Sequence, residues 1–222
     1  MTSSNHLLDL SVAWLLYFLL HSFLASLKSK RWLEMRWPGL LPWYRIAFNV
    51  VALVLLAFPL WLLYSQRGEL LIEWSGYLQW LSHLIALLVF AGFLWSTRYY
   101  DGDEFLGLKQ AREKVRQVED QESFHISPLH RYVRHPRYFL GLLLIWSRDM
   151  DAGFLFSANM IPIYIVIGSR LEEKKLGVDH GPVDQEYTQR VAGLFPLPWK
   201  YLTRQQEMEL LKQVEKRATA AS

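Results

Sequence analysis

The chain has 222 residues, a length that suits one domain or two small ones. It contains no cysteine, which excludes disulfide bonds, cysteine nucleophiles and cysteine-ligated metals, and we expect no metal site. The net charge of +3 comes from cations that are dispersed among acids, so we expect no nucleic-acid partner.

Three apolar segments in the first half are each long enough to cross a bilayer, which takes about 20 residues. They are Leu7–Leu27, Trp43–Ser65 and Tyr77–Thr97. Trp and Tyr mark several of their ends, as is typical of membrane interfaces. A cleaved signal peptide explains the first segment poorly, because no Lys or Arg precedes it and its apolar core is too long.

A fourth apolar region, Tyr138–Ser169, would be about 48 Å long as one helix, whereas the hydrocarbon core measures about 30 Å. A polar cluster at residues 148–153 divides it. We therefore predict a helical hairpin with a short arm, 136–147, and a longer arm, 153–169.

The predicted fold class is all-α: a polytopic membrane bundle of about five transmembrane helices, the last two a hairpin, with cytoplasmic loop and C-terminal helices. Residues 109–123 are predicted to form a loop helix, and Thr203–Ala218 an exposed charged helix with Thr203 as its N-cap. The expected regions are 1–98 with three membrane helices, 99–199 with the motifs described below, and the C-terminal helix 200–222.

The distribution of Lys and Arg predicts the orientation. Segment 28–45 holds five of these residues, 98–137 holds eight and 170–222 holds nine, whereas the 66–76 loop holds one. Five crossings then place the N-terminus outside and the large polar segments, with the C-terminus, in the cytoplasm. The bilayer is thus an expected partner.

The stretch RYVRHPRYFLG, Arg131–Gly141, runs directly into the apolar sequence LLLIW. Proline favours the first position of a helix, so Pro136 is predicted to begin the fourth membrane helix with His135 as its cap. A helix N-terminus carries partial positive charge and attracts anions. One interpretation is an anion site at the cytoplasmic rim, and the other is a basic and aromatic collar that anchors the helix at the interface.

Side chains of the same stretch favour a ligand that is anionic and partly aromatic. Arg134 and Arg137 add full positive charges. Tyr138 and Gly141 follow at i and i+3 on one helix face, where a glycine lets a planar group approach closely.

Two acids, Glu172 and Glu173, follow directly on the last membrane helix in GSRLEEKKL. In the predicted topology they lie at the same rim as His135. They either pair with Arg134 or hold a ligand ammonium or ribose hydroxyls. A carboxylate that faces an anion site forms a cradle for a zwitterion.

Three polar residues lie inside predicted spans: His21, Asn49 and His83. Hydrogen bonding between helices is the simple interpretation of each. His21 is near the cytoplasmic end of its helix, so lining a substrate cavity is its alternative role, whereas His83 is assigned a structural one.

The order RYVRHPRYFLG, RLEEKKL and EYTQRVAGLFP resembles the isoprenylcysteine carboxyl methyltransferase-like family of integral-membrane enzymes. The resemblance covers mainly residues 98–198 and includes Tyr187 and Val191 in the closing motif. HSFLAS, FLGLKQ and the hairpin residues Trp146, Met150 and Gly153 resemble the bacterial methanethiol S-methyltransferase and NnrU-like branch. A bacterial inner membrane is the implied location.

The resemblance implies S-adenosylmethionine as cofactor and a set of residues that bind it. These are Phe124, His125, His130, His135, Pro136, Arg137, Tyr138, Gly141, Glu172 and Glu173. The first three would form a lid. Glu172 would take the ammonium or ribose, and the ring of Tyr138 the adenine or, by cation–π attraction, the sulfonium.

The predicted catalytic residues are Glu172, Arg134 and Arg170, and either arginine would favour the thiolate form of a thiol acceptor. The implied reaction is methyl transfer to a small or lipophilic acceptor from the bilayer, with a thiol favoured over a carboxylate. Gly168 stands where prenylcysteine enzymes carry an arginine, which argues against that substrate. Pro128 and His130 replace a usual glycine and tyrosine.

Other functions stay open at this point. One is a non-catalytic, NnrU-like regulatory or assembly protein, and another is a prenylcysteine carboxyl or phospholipid N-methyltransferase. A sterol-type reductase would need a glycine-rich phosphate loop, which the sequence lacks. The sequence specifies neither the methyl acceptor nor the oligomeric state.

Overall fold

The computed structural model describes residues 3–99, 101–115, 127–180 and 182–221, and most of them are helical. In chain order the helices are α1 (Ser3–Ala25), α2 (Leu27–Arg36), α3 (Tyr44–Ser65), α4 (Tyr77–Ser96), α5 (Gly102–Leu106), α6 (Leu108–Glu113), α7 (Pro136–Trp146), α8 (Ala152–His180), α9 (Pro182–Arg190) and α10 (Arg204–Ala221). Short 3-10 helices are formed by Pro38–Trp43, Thr97–Tyr99 and Pro128–Arg131.

Four helical segments among the described residues are long and apolar enough to cross a membrane. They are Asn5–Ala25, Pro38–Ser65, Tyr77–Tyr99 and Ala152–Glu173. This finding confirms the coarser prediction of a mostly helical chain with several helices that could cross a membrane. Helix α7, the predicted short arm of the hairpin, has 11 residues and spans about 16 Å, roughly half of the hydrocarbon core. The fifth crossing stays a prediction.

A two-stranded antiparallel sheet corrects the expectation of a purely helical chain. Strand β1 (Leu70–Ile72) pairs with strand β2 (Met150–Asp151), with Leu70 opposite Asp151. Strand β1 lies in the connection between α3 and α4, and β2 in the connection between α7 and α8. The strands have only two or three residues, too few for an alternating pattern to be recognised in the sequence.

Two predicted polar helices differ from their expected form. The helix predicted over 109–123 begins one residue earlier and ends at Glu113, because Lys114 takes a left-handed conformation with φ of 53°. Residues 116–126 lie outside the described residues. Helix α10 starts as predicted, with the Gln206 amide donating to the Thr203 hydroxyl at 3.3 Å. It is not exposed on every side, since Leu210 is buried.

Contacts within the chain divide it into two units. The first unit comprises Met1–Gln79, Tyr100–Phe124 and Arg148–Ile161, and the second Trp80–Tyr99, His125–Ser147 and Pro162–Ser222. In the first unit α1 packs against α3, and the Trp14 indole donates to the Ser157 hydroxyl at 2.9 Å. These contacts bury Leu10 and Trp14.

Asp151 organises the connections between helices in the first unit. Its buried carboxylate accepts from Arg67 Nε at 2.6 Å, the Gly68 amide at 3.3 Å and the Phe154 amide at 2.8 Å. The neighbouring Asp149 accepts from the Trp74 amide at 2.9 Å. The 148–151 turn is therefore attached to the loop between α3 and α4.

The polar residues inside the spans fit a structural interpretation. Asn49 Nδ2 donates to the Phe105 and Leu106 carbonyls at 3.1 and 3.3 Å, and so joins α3 to α5. The ring of His21 packs against Tyr17 and Phe48, and the ring of His83 lies edge-on to Trp80.

The second unit has its own buried core around α7, α9 and α10. A Cβ on Gly92 of α4 would lie 3.4 Å from a Leu140 methyl carbon, so α4 and α7 are closely packed. The core residues are Val133, Leu140, Val183, Tyr187, Val191, Leu202 and Leu210. All the contacts of the candidate site described below lie in this unit.

Candidate active site

The start of α7 is fixed by main-chain bonds to the segment that follows α9. Val133 pairs with Ala192 in a parallel bridge. The Arg134 amide donates to the Ala192 carbonyl at 2.8 Å, and the His135 amide to the Gly193 carbonyl at 3.2 Å. Pro136 then begins the helix with His135 as its N-cap residue, as the sequence predicted.

The guanidinium of Arg134 connects α7 to α8 and α9. Its Nε and Nη2 donate to Glu173 Oε1 at 2.9 and 2.7 Å. Its Nη1 donates to the Thr188 and Val191 carbonyls at 2.7 and 2.8 Å. The planar donors of Arg134 therefore hold one carboxylate and two main-chain oxygens at the same time.

Glu173 and His135 form the inner part of the site. His135 is 8% exposed, and its Nε2 lies 3.0 Å from Glu173 Oε1. A carboxylate only accepts hydrogen bonds, so Nε2 carries the hydrogen. Glu173 Oε1 thus accepts from both Arg134 and His135. Of the two roles considered for the glutamates, pairing with Arg134 belongs to Glu173.

Glu172 forms the outer part of the site. Its side chain is 45% exposed, and Oε2 lies 3.6 Å from His135 Nδ1. The Tyr138 hydroxyl donates to the same oxygen at 3.5 Å, the outer limit of a hydrogen bond. The rings of His135 and Tyr138 are stacked with centroids 5.3 Å apart. A carboxylate and an aromatic face therefore lie side by side, accessible to a ligand.

His130 is bonded within the segment that precedes the motif. Its Nδ1 accepts from the Ser127 amide at 3.1 Å and lies 2.8 Å from the Ser127 hydroxyl, which closes a capping box. The Tyr187 hydroxyl donates to the His130 carbonyl at 2.9 Å. Tyr187 of the closing motif thereby fixes this segment.

The structure brings together five of the predicted site residues: Arg134, His135, Tyr138, Glu172 and Glu173. Arg137 is partly exposed on the first turn of α7. A Cβ on Gly141, one turn further along α7, would meet nothing within 4 Å, so space is open there.

Arg170 is not part of this cluster. Arg170 is exposed on α8 and makes no hydrogen bond or ion pair with any described residue. Phe124 and His125 lie outside the described residues, so the lid stays a prediction.

The sequence did not identify the main-chain groups that hold the motif. These are the carbonyls of Thr188, Val191, Ala192 and Gly193. Carbonyl oxygens occur in every residue and leave no residue-type signal. All four residues belong to the closing motif EYTQRVAGLFP. The presence of this motif in the family resemblance was the signal that this segment contributes to the site.

Sequence comparison identifies the family. The chain is 32% identical over 186 residues to the methanethiol S-methyltransferase of Pseudomonas sp. (strain GM41(2012)), and the match covers 79% of this chain and 68% of that protein. The chain belongs to the methanethiol S-methyltransferase family. It is 31% identical over 195 residues to methanethiol S-methyltransferase 2 of Bradyrhizobium diazoefficiens, covering 82% of this chain and 70% of that one.

A further methanethiol S-methyltransferase, from Pseudomonas deceptionensis, is 29% identical over 195 residues and covers 82% of this chain and 69% of its own length. No family model and no solved structure matches the chain. Membership of the methanethiol S-methyltransferase family confirms that the protein is a methyltransferase with S-adenosylmethionine as methyl donor. The non-catalytic alternative is thereby set aside, and the roles of individual residues stay predictions.

Proposed function

We propose that this enzyme methylates a small thiol such as methanethiol, at a site formed by the start of α7 and the Glu172–Glu173 pair of α8. The observation that carries the proposal is the 32% identity to a methanethiol S-methyltransferase over 79% of the chain. Gly168, where a prenylcysteine enzyme carries arginine, supports a thiol over a prenylcysteine carboxylate.

The residues of the cluster fit the chemistry of S-adenosylmethionine. Glu172 offers an exposed carboxylate to an ammonium or to ribose hydroxyls, and Arg137 offers a cation to the carboxylate. The half-exposed ring of Tyr138 suits adenine or a sulfonium, with open space at Gly141 on the same face. When bound, this cofactor supplies a methyl group already activated on a sulfonium, so neither a metal nor a covalent residue is needed.

We assign different roles to the two glutamates. Glu172 contacts the cofactor, because its carboxylate is the more exposed of the two. Glu173, Arg134 and His135 act as positioning residues, because their polar atoms bond one another and the main chain after α9. Arg134 then fixes the site rather than touching the acceptor.

The acceptor side requires a thiolate, since the thiolate is the nucleophilic form of a thiol. We assign the stabilisation of this thiolate to Arg170, because its side chain is exposed on α8, two residues before Glu172. Alignment of the thiolate with the activated methyl group and exclusion of water then account for catalysis. From the family resemblance we also propose that Phe124, His125 and His130 belong to a segment that closes over the cofactor.

We propose five crossings, with α7 as the fourth, and the N-terminus outside. Contacts in the first unit support this topology, because they join segments assigned to one side. On the outer side, strand β1 pairs with β2. His6 and Gly153 are also assigned to this side, and a Cβ added to Gly153 would lie 3.2 Å from His6 Nε2. Arg45 Nε donates to the Phe105 carbonyl on the inner side. Region 99–199 is then the catalytic region, with its motifs facing the cytoplasm.

The test measures both methyl transfer and cofactor binding in the purified, detergent-solubilised enzyme. With labelled S-adenosylmethionine, we expect methanethiol to be methylated, and a prenylcysteine analogue and a phospholipid to remain unlabelled. In Glu172→Gln we expect calorimetry to show cofactor affinity at least tenfold weaker, which corresponds to about 1.4 kcal/mol.

The matched control is Glu209→Gln, which neutralises an exposed acid of α10. This variant is expected to bind the cofactor as the wild type does. Unchanged affinity in Glu172→Gln removes Glu172 from the site. Methylation of the prenylcysteine analogue in place of the thiol refutes the proposed acceptor.

A further inference from the structure

A cavity of about 690 Å³ lies between the end of α1, helix α2 and the beginning of α3. It is formed by the first unit alone and shares no residue with the proposed methyl-transfer site. Its apolar wall is formed by Phe23, Trp32, Leu33, Leu40, Trp43 and Ala47. Pockets for small organic ligands measure roughly 300–1,000 Å³, so the cavity has room for an extended hydrocarbon chain.

The polar groups at the cavity wall bond to one another. The Tyr44 hydroxyl donates to the Leu24 carbonyl, and it lies 3.0 Å from the Ser29 hydroxyl, which donates to it. Ser29 is also buried, and its amide donates to the Ser26 side chain at 3.2 Å. Because these groups are satisfied within the protein, the wall favours an apolar occupant over a polar one.

Lys28 places a positive charge at the rim of the cavity. Lys28 lines the cavity, is exposed, and makes no hydrogen bond or ion pair with the part of the chain that the structure describes. The surrounding segment 28–45 contains five basic residues and a single acid, Glu34. Trp32 and Trp43 are more than half exposed at the same rim, and tryptophan is typical of the membrane–water interface.

We propose that this cavity binds an anionic phospholipid, with one acyl chain against the apolar wall and the phosphate at the Lys28 ammonium. The apolar wall matches the chain, and the net positive segment matches the headgroup charge. The proposal depends on the membrane location of α1 and α3 and is independent of the methyl acceptor.

Native mass spectrometry of the full-length protein tests the headgroup assignment. The protein is equilibrated with phosphatidylglycerol and phosphatidylethanolamine of identical acyl chains. We expect the wild type to retain phosphatidylglycerol in preference, and Lys28→Gln to weaken its retention about fivefold. Lys212→Gln, which removes an exposed charge of α10, is the control and is expected to retain lipid as the wild type does.

Two bulky substitutions test the acyl-chain assignment. Ala47→Trp and Leu40→Trp add volume at exposed wall positions, and each is expected to abolish retention of both lipids while the melting temperature is kept. If Ala47→Trp does not fold, Leu40→Trp alone tests the acyl-chain assignment. Equal retention of the two lipids by the wild type, unchanged retention by Lys28→Gln, or undiminished lipid in a folded tryptophan variant each overturns the proposal.

Discussion

At the scale of single residues, two adjacent glutamates have different neighbours. Consecutive residues of a helix point about 100° apart, so Glu172 and Glu173 meet different atoms: Glu173 Oε1 lies at His135 Nε2, and Glu172 Oε2 lies near His135 Nδ1. Glu173 accepts from Arg134 and His135, whereas Glu172 is turned toward Tyr138 and is 45% exposed. We therefore expect substitution of Glu173 to affect folding stability and substitution of Glu172 to affect ligand binding.

Glu173→Gln is expected to lower the free energy of unfolding by about 1–3 kcal/mol, because three charge-assisted hydrogen bonds to one oxygen are weakened. Thermal unfolding in detergent measures this as a lower melting temperature. Glu172→Gln is the matched comparison and is expected to melt near the wild type. A larger loss of stability in Glu172→Gln than in Glu173→Gln contradicts the assigned roles.

The sequence predicted which residues of the candidate site lie close together but not how they pair. Pro136 at a helix start and two acids at the end of an apolar helix were sufficient to place His135, Tyr138 and the glutamates near one another. Which acid meets Arg134 depends on the rotation of α8 about its axis. Packing with elements far away in the chain sets this rotation, so the local pattern could not reveal it.

At the scale of elements, the turn between α5 and α6 requires glycine. Gly107 has φ of 90°, and a Cβ there would lie 2.8 Å from Arg45 Cβ and 2.9 Å from the Ile46 amide nitrogen. The turn is therefore in direct contact with the beginning of α3. Its conformation places the Phe105 carbonyl where it accepts from Asn49 and Arg45.

Gly107→Ala is expected to destabilise the protein by about 1–3 kcal/mol, because the backbone conformation is unfavourable for alanine and the added carbon contacts main-chain atoms. Gly102→Ala provides the control within the same segment. A Cβ there meets nothing within 4 Å, φ is not positive, and alanine favours the helix. Melting temperatures of the two variants in detergent decide the comparison, and equal values contradict the expectation.

Element types were predictable to different degrees. The long helices were recovered because a bilayer demands about 20 consecutive apolar residues, a signal that is local in sequence. The pairing of β1 with β2 was not, because it joins residues near 70 and 150 through a few main-chain bonds. The burial of Asp151 at 2% exposure was missed for the same reason: its partner Arg67 is distant in the chain.

At the scale of the whole molecule, the proposed topology assigns each connection to one side of the membrane. Ser75 is exposed in the loop between α3 and α4, and Lys212 is exposed on α10. Because the chain has no cysteine, a cysteine introduced at either position is the sole thiol of the variant.

With a membrane-impermeant maleimide applied to spheroplasts, Ser75→Cys is expected to be labelled at once, and Lys212→Cys only after the membrane is permeabilised. The physical reason is that segment 170–222 holds nine Lys and Arg residues whereas the 66–76 loop holds one, and such residues favour the cytoplasmic side. Labelling of Lys212→Cys in intact spheroplasts means that α7 does not cross. The methyltransferase activity of each variant serves as the control for correct folding.

The sheet formed by β1 and β2 has a consequence for the order of biogenesis. With five crossings, Leu70–Ile72 is exported early in synthesis, whereas its partner Met150–Asp151 reaches the same side only after the last hairpin has entered the bilayer. The first strand therefore remains unpaired while residues 73–149 are synthesised. Insertion of the final hairpin is thus the event that completes the outer surface, and a chain arrested before residue 150 retains an unpaired strand there.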